Sequence, residues 1–450
     1  MKRNRTAALG AVLAAAMLTS GCLQSSDDGG GGGNGGDGGG TAGAGGSDPN
    51  DGVVEVFGAF TGAEQDAFNE SLKSFEEDSG IDVKYTGNAD FTTFVRSRVQ
   101  GGQPPDIALF PQPGLLLDLA AQDNIVPIDE YLDRGQLDET LIPGFLDAVT
   151  DEEGTTYGAP MRMAVKSLVW VPKAYEEEGY SLEPGSVQEL ADIANQIKDG
   201  GTAPWCLGYE SGAATGWVGT DWIEEMMLRL HGPEVYDQWV SHEIPFDAPE
   251  VQEAFEAFGE IALAEGNVQG GGQAIVSTPF GEAGNPSFEN PPKCYLHRQG
   301  NFITGFFPED VQSNLDESVD VMYFPAYEGG YDGNPVLGGG DLAALFNGED
   351  DDSKEFMAWL TSDEFGAEWA QAGGWLSPHA TFDGSNYPDE TTRRMAEIAS
   401  EADVFRFDAS DLMPAEVGAG TFWTGMVDWT TGRKSTEEVT ADIESSWPSG

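Results

Sequence analysis

Short apolar runs alternate with amphipathic ones through the first part of the chain that carries any packing signal. Val53-Val54-Glu55-Val56-Phe57 reads as a strand, and Phe68, Leu72 and Phe75 then recur at helical spacing until Gly80 stops the pattern. Thr61-Gly62-Ala63-Glu64 fits a capping box at the start of that helix, with Thr61 accepting from a backbone N–H and Glu64 reaching back. Ile81-Asp82-Val83-Lys84-Tyr85 reads as a second strand, Phe91 to Val99 as a helix, Asp106-Ile107-Ala108-Leu109-Phe110 as a third strand and Leu115 to Ala121 as a helix. This β-α-β-α-β order predicts a parallel sheet with right-handed crossovers, so the class is α/β. Ligands of such sheets sit beyond the carboxyl ends of the strands. Those ends carry Phe60-Thr61, Asn88-Ala89-Asp90 and Phe110-Pro111-Gln112.

A second unit begins near residues 157–173, with Ser167 to Val171 strand-like. Helices are predicted over Val187 to Ile197, Trp222 to Leu230, Val251 to Ala264, Glu355 to Ala370, Thr391 to Ala402 and Ser435 to Ser446. Strands are predicted over Asp320 to Phe324 and Leu342 to Phe346. There is no internal repeat. At 450 residues, two lobes of ordinary size fit, and 39% hydrophobic with 10% aromatic residues is enough to give each a core.

The extreme N-terminus has a different pattern. Lys2, Arg3 and Arg5 precede a short apolar stretch over residues 7–18, and Thr19-Ser20-Gly21-Cys22 follows. The apolar stretch is too short to span a bilayer stably but suits an export signal over residues 1–21, and small residues before a Cys resemble a lipoprotein processing site with Cys22 lipidated. From Asp27 to Gly46 the chain is nearly all Gly with Asp, Asn, Thr and Ala, so residues 22–52 read as a flexible tether. No later run is apolar enough to span a membrane.

The balance of 78 acidic against 21 basic residues gives a formal net charge of -57. Such a surface repels phosphate backbones and anionic headgroups, so nucleic acid is excluded as a partner and any membrane attachment must be covalent. Solvation in a salty habitat and simple solubility explain the acidity equally well. After export, Cys206 and Cys294 are the remaining cysteines, and an oxidising compartment argues for one disulfide between them, two isolated thiols being the other reading. His231, His242, His297 and His379 show no ligand spacing, so no metal and no cofactor is expected.

Several stretches together are similar to the family 1 extracellular solute-binding proteins, the maltose-binding-like components of ABC importers. They are Val-Glu-Val-Phe-Gly at 54–58, Gly101-Gly102-Gln103-Pro104-Pro105-Asp106-Ile107-Ala108, Tyr157-Gly158-Ala159-Pro160, Ile303-Thr304-Gly305, Val336-Leu337-Gly338-Gly339-Gly340, Phe422-Trp423 and Ser435-Thr436-Glu437-Glu438-Val439. Phe110-Pro111-Gln112-Pro113-Gly114, Ala159-Pro160-Met161-Arg162, Pro204-Trp205-Cys206 and Pro291-Pro292-Lys293-Cys294-Tyr295 resemble the α-glucoside-binding subgroup. The resemblance covers residues 53–448. It implies a two-lobed periplasmic-binding-protein fold (type II, Venus-flytrap) with a hinge of several crossings. Lobe 1 is expected at 53–160 and 321–378, and lobe 2 at 161–320 and 379–448. It further implies a monomer on the extracellular face of the membrane, or in a periplasm, that passes a small sugar to permease subunits without catalysing a reaction. A secreted glycosidase with paired carboxylates and a sugar-sensing surface protein are the alternatives.

A sugar offers apolar C–H faces and a rim of hydroxyls, so its site needs aromatic plates, a bidentate Arg and carboxylates. Trp217 and Trp222, flanking Asp221 in a loop before a helix, Trp375 after a glycine turn and Trp423 are the stacking candidates. Phe60, Phe306 and Phe307 are smaller platforms. Arg162, at the first crossing, and Asp90, Gln112, Glu210, Asp221 and Asp341 are the polar candidates, with a solvated or structural role open for each. Trp170, Trp239, Trp359 and Trp369 sit inside regular patterns and read as core.

Overall fold

The computed structural model describes residues 50–448, apart from 143 and 152. The signal segment, Cys22 and most of the tether lie outside the described residues.

Among the described residues one sheet has six strands and another has three. The larger contains β1 (Val53–Gly58), β2 (Asp82–Gly87), β3 (Ile107–Phe110) and β4 (Ala159–Val165). The smaller is built from β5 (Leu168–Pro172), β6 (His297–Arg298) and β7 (Val319–Tyr323). The chain then returns to the larger sheet with β8 (Pro335–Leu345) and β9 (Val404–Phe407). The order is β2-β1-β3-β8-β4, with β9 beside β8. The first three strands are parallel, as expected, while β8 runs antiparallel to both β3 and β4. Every residue of β3, β4 and β5 is buried, which is why β3 and β5 read as continuous apolar runs rather than alternating ones, while β4 carries Arg162 in its middle and was not read as a strand.

Helix limits follow local signals. Gly80 adopts φ 78° and closes the helix Lys73–Ser79, a conformation that costs glycine no steric strain. Ser435 and Glu438 form a capping box on the last helix, Thr436–Glu444. The capping box expected at Thr61 and Glu64 does not form: Gly62 is the N-cap of the helix Ala63–Ser71, and no side chain caps it. The loop expected over residues 217–221 is instead the first turn of the helix Trp217–Val240, whose N-cap is Gly216.

Two large hydrophobic clusters fill the molecule, one around the larger sheet and one around the helices Val187–Asp199, Trp217–Val240 and Pro249–Ala262. The chain passes between them several times, among these at 165–169, 319–322, 336–337 and 407–409. Backbone bonds stitch these passages together: Lys166 N–H donates to Leu337 at 2.8 Å, Asp408 N–H to Gly338 at 2.8 Å and Phe324 N–H to Ser167 at 2.9 Å. The clusters draw on segments from along the whole described chain. Met161, Met163 and Val165 pack in the first cluster because β4 extends the larger sheet, and so do Ile303, Phe307, Tyr387, Met395 and Phe407. Met322 and Phe324 pack in the second. Cys206 and Cys294 form a disulfide with a Cα–Cα distance of 5.4 Å, as expected for an exported chain.

Candidate functional site

A cavity of about 350 Å³ opens where the two clusters meet, lined from the carboxyl ends of β1 and β3, from β4 and β8, and from the starts of the helices at Trp217 and Trp423. Its size is that of a small-ligand site.

Arg162 anchors the polar part. It lies opposite Asp341 in the β4–β8 pairing, next to a register shift between Pro160 and Arg162. Its Nε donates to Asp341 Oδ2 at 2.6 Å and its Nη1 to Glu64 Oε1 at 2.9 Å. The guanidinium lies 4.6 Å from the Phe60 ring centroid and 5.3 Å from that of Trp369. Burial works against its charge, but Asp341 and Glu64 more than offset this and hold its proton more firmly than usual. Burial also pushes the Glu64 carboxyl up, against the pull of Arg162. Asp90 and Gln112 line the same cavity.

Aromatic rings form the apolar part. Trp217 packs on Phe280 with centroids 5.2 Å apart and on Phe302 at 6.0 Å, and Phe280 packs on Phe306 at 5.1 Å. Trp423 follows a π-helical turn, Val417–Phe422. Gly216 holds φ 119°, and a Cβ there would meet the Trp423 carbonyl oxygen at 2.1 Å, so this glycine lets the two tryptophan-bearing segments touch. Two polar atoms of the wall, Trp423 Nε1 and Gln112 Oε1, are buried with no hydrogen-bond partner among the described residues. One donates and the other accepts, and a ligand hydroxyl can serve either.

Beside this lies a buried charged cluster. Lys166 Nζ donates to Asp221 Oδ1 at 2.9 Å and to Asp408 Oδ2, and it lies 5.5 Å from the Trp217 ring centroid. Carboxylate oxygens of Asp221, Glu224 and Asp408 fall within 4.8 Å of one another. A metal ion uses such a spacing too, but the Lys166 ammonium already contacts two of the three and supplies the compensating charge.

Of the sequence candidates, Asp90, Gln112, Arg162, Trp217, Phe306, Asp341 and Trp423 line the cavity. Six do not. Phe60 is buried beneath Arg162. Asp221 is 1% exposed and points at Lys166. Trp222 lies five residues after Trp217, about 140° further round the helix, and so turns inward, stacking on Phe258 with centroids 4.9 Å apart. Phe307 packs edge-on against Trp170 at 5.7 Å, and Trp375 against Phe365 at 5.7 Å. Glu210 accepts from Gly212 N–H at 3.0 Å, outside the wall. Glu64, Lys166, Phe280, Phe302, Asp408, Ser410 and Asp411 line the cavity without having been singled out. Glu64 was absorbed by the capping pattern. Lys166 carried a signal, as one of few basic residues beside a crossing. Asp408 and Asp411 were lost among 78 acids.

Residues 61–367 match the family model described as bacterial extracellular solute-binding protein. The chain belongs to that family. Within these solute-binding proteins of ABC importers, the chain is 44% identical over 396 residues to the osmoprotective compounds-binding protein GgtB of a Synechocystis species, covering 88% of this chain and 92% of the relative. It is 38% identical over 411 residues to the alpha-glucosides-binding periplasmic protein AglE of Rhizobium meliloti, covering 90% and 89%. Its fold matches the two-lobed architecture of maltose-bound MalE3 of T. maritima with a TM-score of 0.65 at 15% identity, over 87% of this chain and 98% of that one. The solute-binding protein is therefore a two-lobed α/β molecule, and none of its described helices is long and apolar enough to cross a membrane.

Proposed function

We propose that this solute-binding protein captures a neutral α-glucoside of the sucrose, trehalose or maltose type in the cavity and delivers it to the permease of an ABC importer. The observation that carries the reading is the pairing, in one cavity, of a polar cluster (Arg162, Glu64, Asp341, with Asp90 and Gln112) and an aromatic one (Trp217, Phe280, Phe302, Phe306, with Trp423). Aromatic faces take the C–H side of a pyranose and the fork of Arg162 takes vicinal hydroxyls. The names of the two relatives point the same way, since sucrose and trehalose are both α-glucosides and osmoprotective solutes.

The two lobes close on the sugar by population shift, pivoting at the passages near 166, 337 and 408, and no covalent step is needed. Cys22 carries the lipid that holds a monomer at the outer face of the membrane, and the glycine-rich tether gives it reach.

Calorimetry and thermal unfolding of the body from residue 48 with maltose, sucrose and trehalose test the reading. A cognate sugar at 100 times its Kd adds about 2.7 kcal/mol of stability and is recovered intact. Hydrolysis of the sugar replaces the binder by a glycosidase. No stabilisation by any of the three removes the α-glucoside assignment.

A further inference from the structure

Five ionisable side chains from three parts of the chain meet beside the cavity. Lys166 comes from the passage after β4, Asp221 and Glu224 from the helix Trp217–Val240, and Asp408 and Asp411 from the cap and last turn of the helix Ala409–Leu412. None is more than 9% exposed. The remaining charged neighbour is Arg298, which stands 4.0 Å from Asp221 Oδ2 and is committed to Glu225 at 2.9 Å. The Tyr236 hydroxyl, also near, donates to the Phe407 carbonyl at 2.8 Å. Four carboxyl groups are therefore gathered around one ammonium, which contacts Asp221 and Asp408.

Unscreened negative charge in such a place costs several kcal/mol per ion, so the cluster stores protons instead. The hydrogen bonds sort the members. Asp408 accepts from Lys166, Ser410 Oγ and Asp411 N–H, the surroundings of a carboxylate. Glu224 Oε2 and Asp221 Oδ2 are buried without a hydrogen-bond partner among the described residues, Asp221 Oδ2 having Arg298 at 4.0 Å beside it, and a carboxylic proton fits there. Directions of titration agree: burial raises Asp221 to about 8 and lifts Glu224 and Asp411 well above the usual range, while burial of Asp408 is outweighed by Lys166 together with hydrogen bonds from Asp221 and Glu224, which hold it low.

Lys166, Asp408 and Asp411 also line the cavity. We propose that this cluster is a proton-binding site coupled to the solute site, so that capture of a neutral solute takes up on the order of one proton and weakens as the medium turns alkaline. The inference rests on the cavity being the solute site. A ligand filling it displaces the cavity water that faces Lys166, Asp408 and Asp411, which weakens the screening of the negative charge in the cluster and raises its proton affinity in the complex. Affinity is then full below the free-state pKa and is lost as pH rises toward the bound-state value, by at most about tenfold per pH unit for one proton.

Calorimetry of the cognate disaccharide between pH 6 and 9, in buffers of different ionisation enthalpy, reads the proton uptake directly. Uptake in the native protein that is lost in Glu224→Gln, with a flatter affinity profile, supports the site. Equal heats in all buffers and a flat affinity profile overturn it. Unfolding without sugar separates this idea from the sugar reading. Carboxyls whose folded pKa is raised lose stability as pH climbs from about 4 to 8, so the native protein should lose more than Glu224→Gln over that range. That difference without sugar binding keeps the proton site and removes the sugar; identical profiles remove the proton site. Asp411→Asn serves if Glu224→Gln does not fold.

Discussion

Arg162 gathers the polar wall, because Glu64 comes from the helix Ala63–Ser71 and Asp341 from β8 far along the chain, and the guanidinium contacts both. Arg162→Ala should weaken sugar binding by more than about tenfold in calorimetry, and Arg162→Lys should not restore it, since an ammonium lacks the planar fork. Unchanged affinity in the Ala variant would remove its assigned role. The two tryptophans at 222 and 423 make a sharper contrast. Trp222 is fully enclosed, and its truncation should cost about 3–5 kcal/mol of stability while the folded fraction keeps its affinity. Trp423 lines the cavity, and its truncation should cost affinity by more than about 1 kcal/mol. If Trp222→Ala lowers affinity more than Trp423→Ala in folded protein, the assignment of the wall is wrong. Residue types alone could not rank these two, because both are tryptophans near a helix start and differ only in which way the helix turns them.

Short elements with strong local signals were legible: the first three strands, the helices between them and the glycine stop at Gly80 all stand where the hydrophobic spacing put them. The helix start at Trp217 was not, because its N-cap is a left-handed glycine rather than a Ser, Thr or Asp. That glycine is testable. Gly216→Ala forces a side chain into φ 119° and against the Trp423 carbonyl, so it should destabilise the protein by about 1–3 kcal/mol and loosen sugar binding together. A variant as stable and as tight as the native protein would show the contact to be unimportant. The disulfide belongs to this scale too. It joins residues 88 apart, Cys206 and Cys294, and its reduction should lower stability by about 4 kcal/mol in the chain-entropy picture, read as a fall in Tm on adding reductant.

The chain carries a formal charge of -57, with 78 acidic side chains against 21 basic ones, so most of its acids cannot each have a cation of their own. Self-repulsion of that size is screened within about 10 Å at 0.1 M salt and more closely above it. Thermal stability should therefore climb steadily as salt is raised toward molar concentration; a Tm that falls or stays level would detach the acidity from stability. Composition reports such long-range effects because they depend on the sum of charges and not on their positions. By itself the sequence determined the α/β class and the family, since both rest on local spacing or on pieces kept in order, while the disulfide between Cys206 and Cys294, favoured over two free thiols, was settled by the fold. Tertiary structure decided the site. Lys166 and Asp408 lie 242 residues apart and meet only because three passages of the chain are bonded side by side between the cores. Which of 78 acids turns inward is set by that crossing and by the facing of one helix, and no local pattern encodes either.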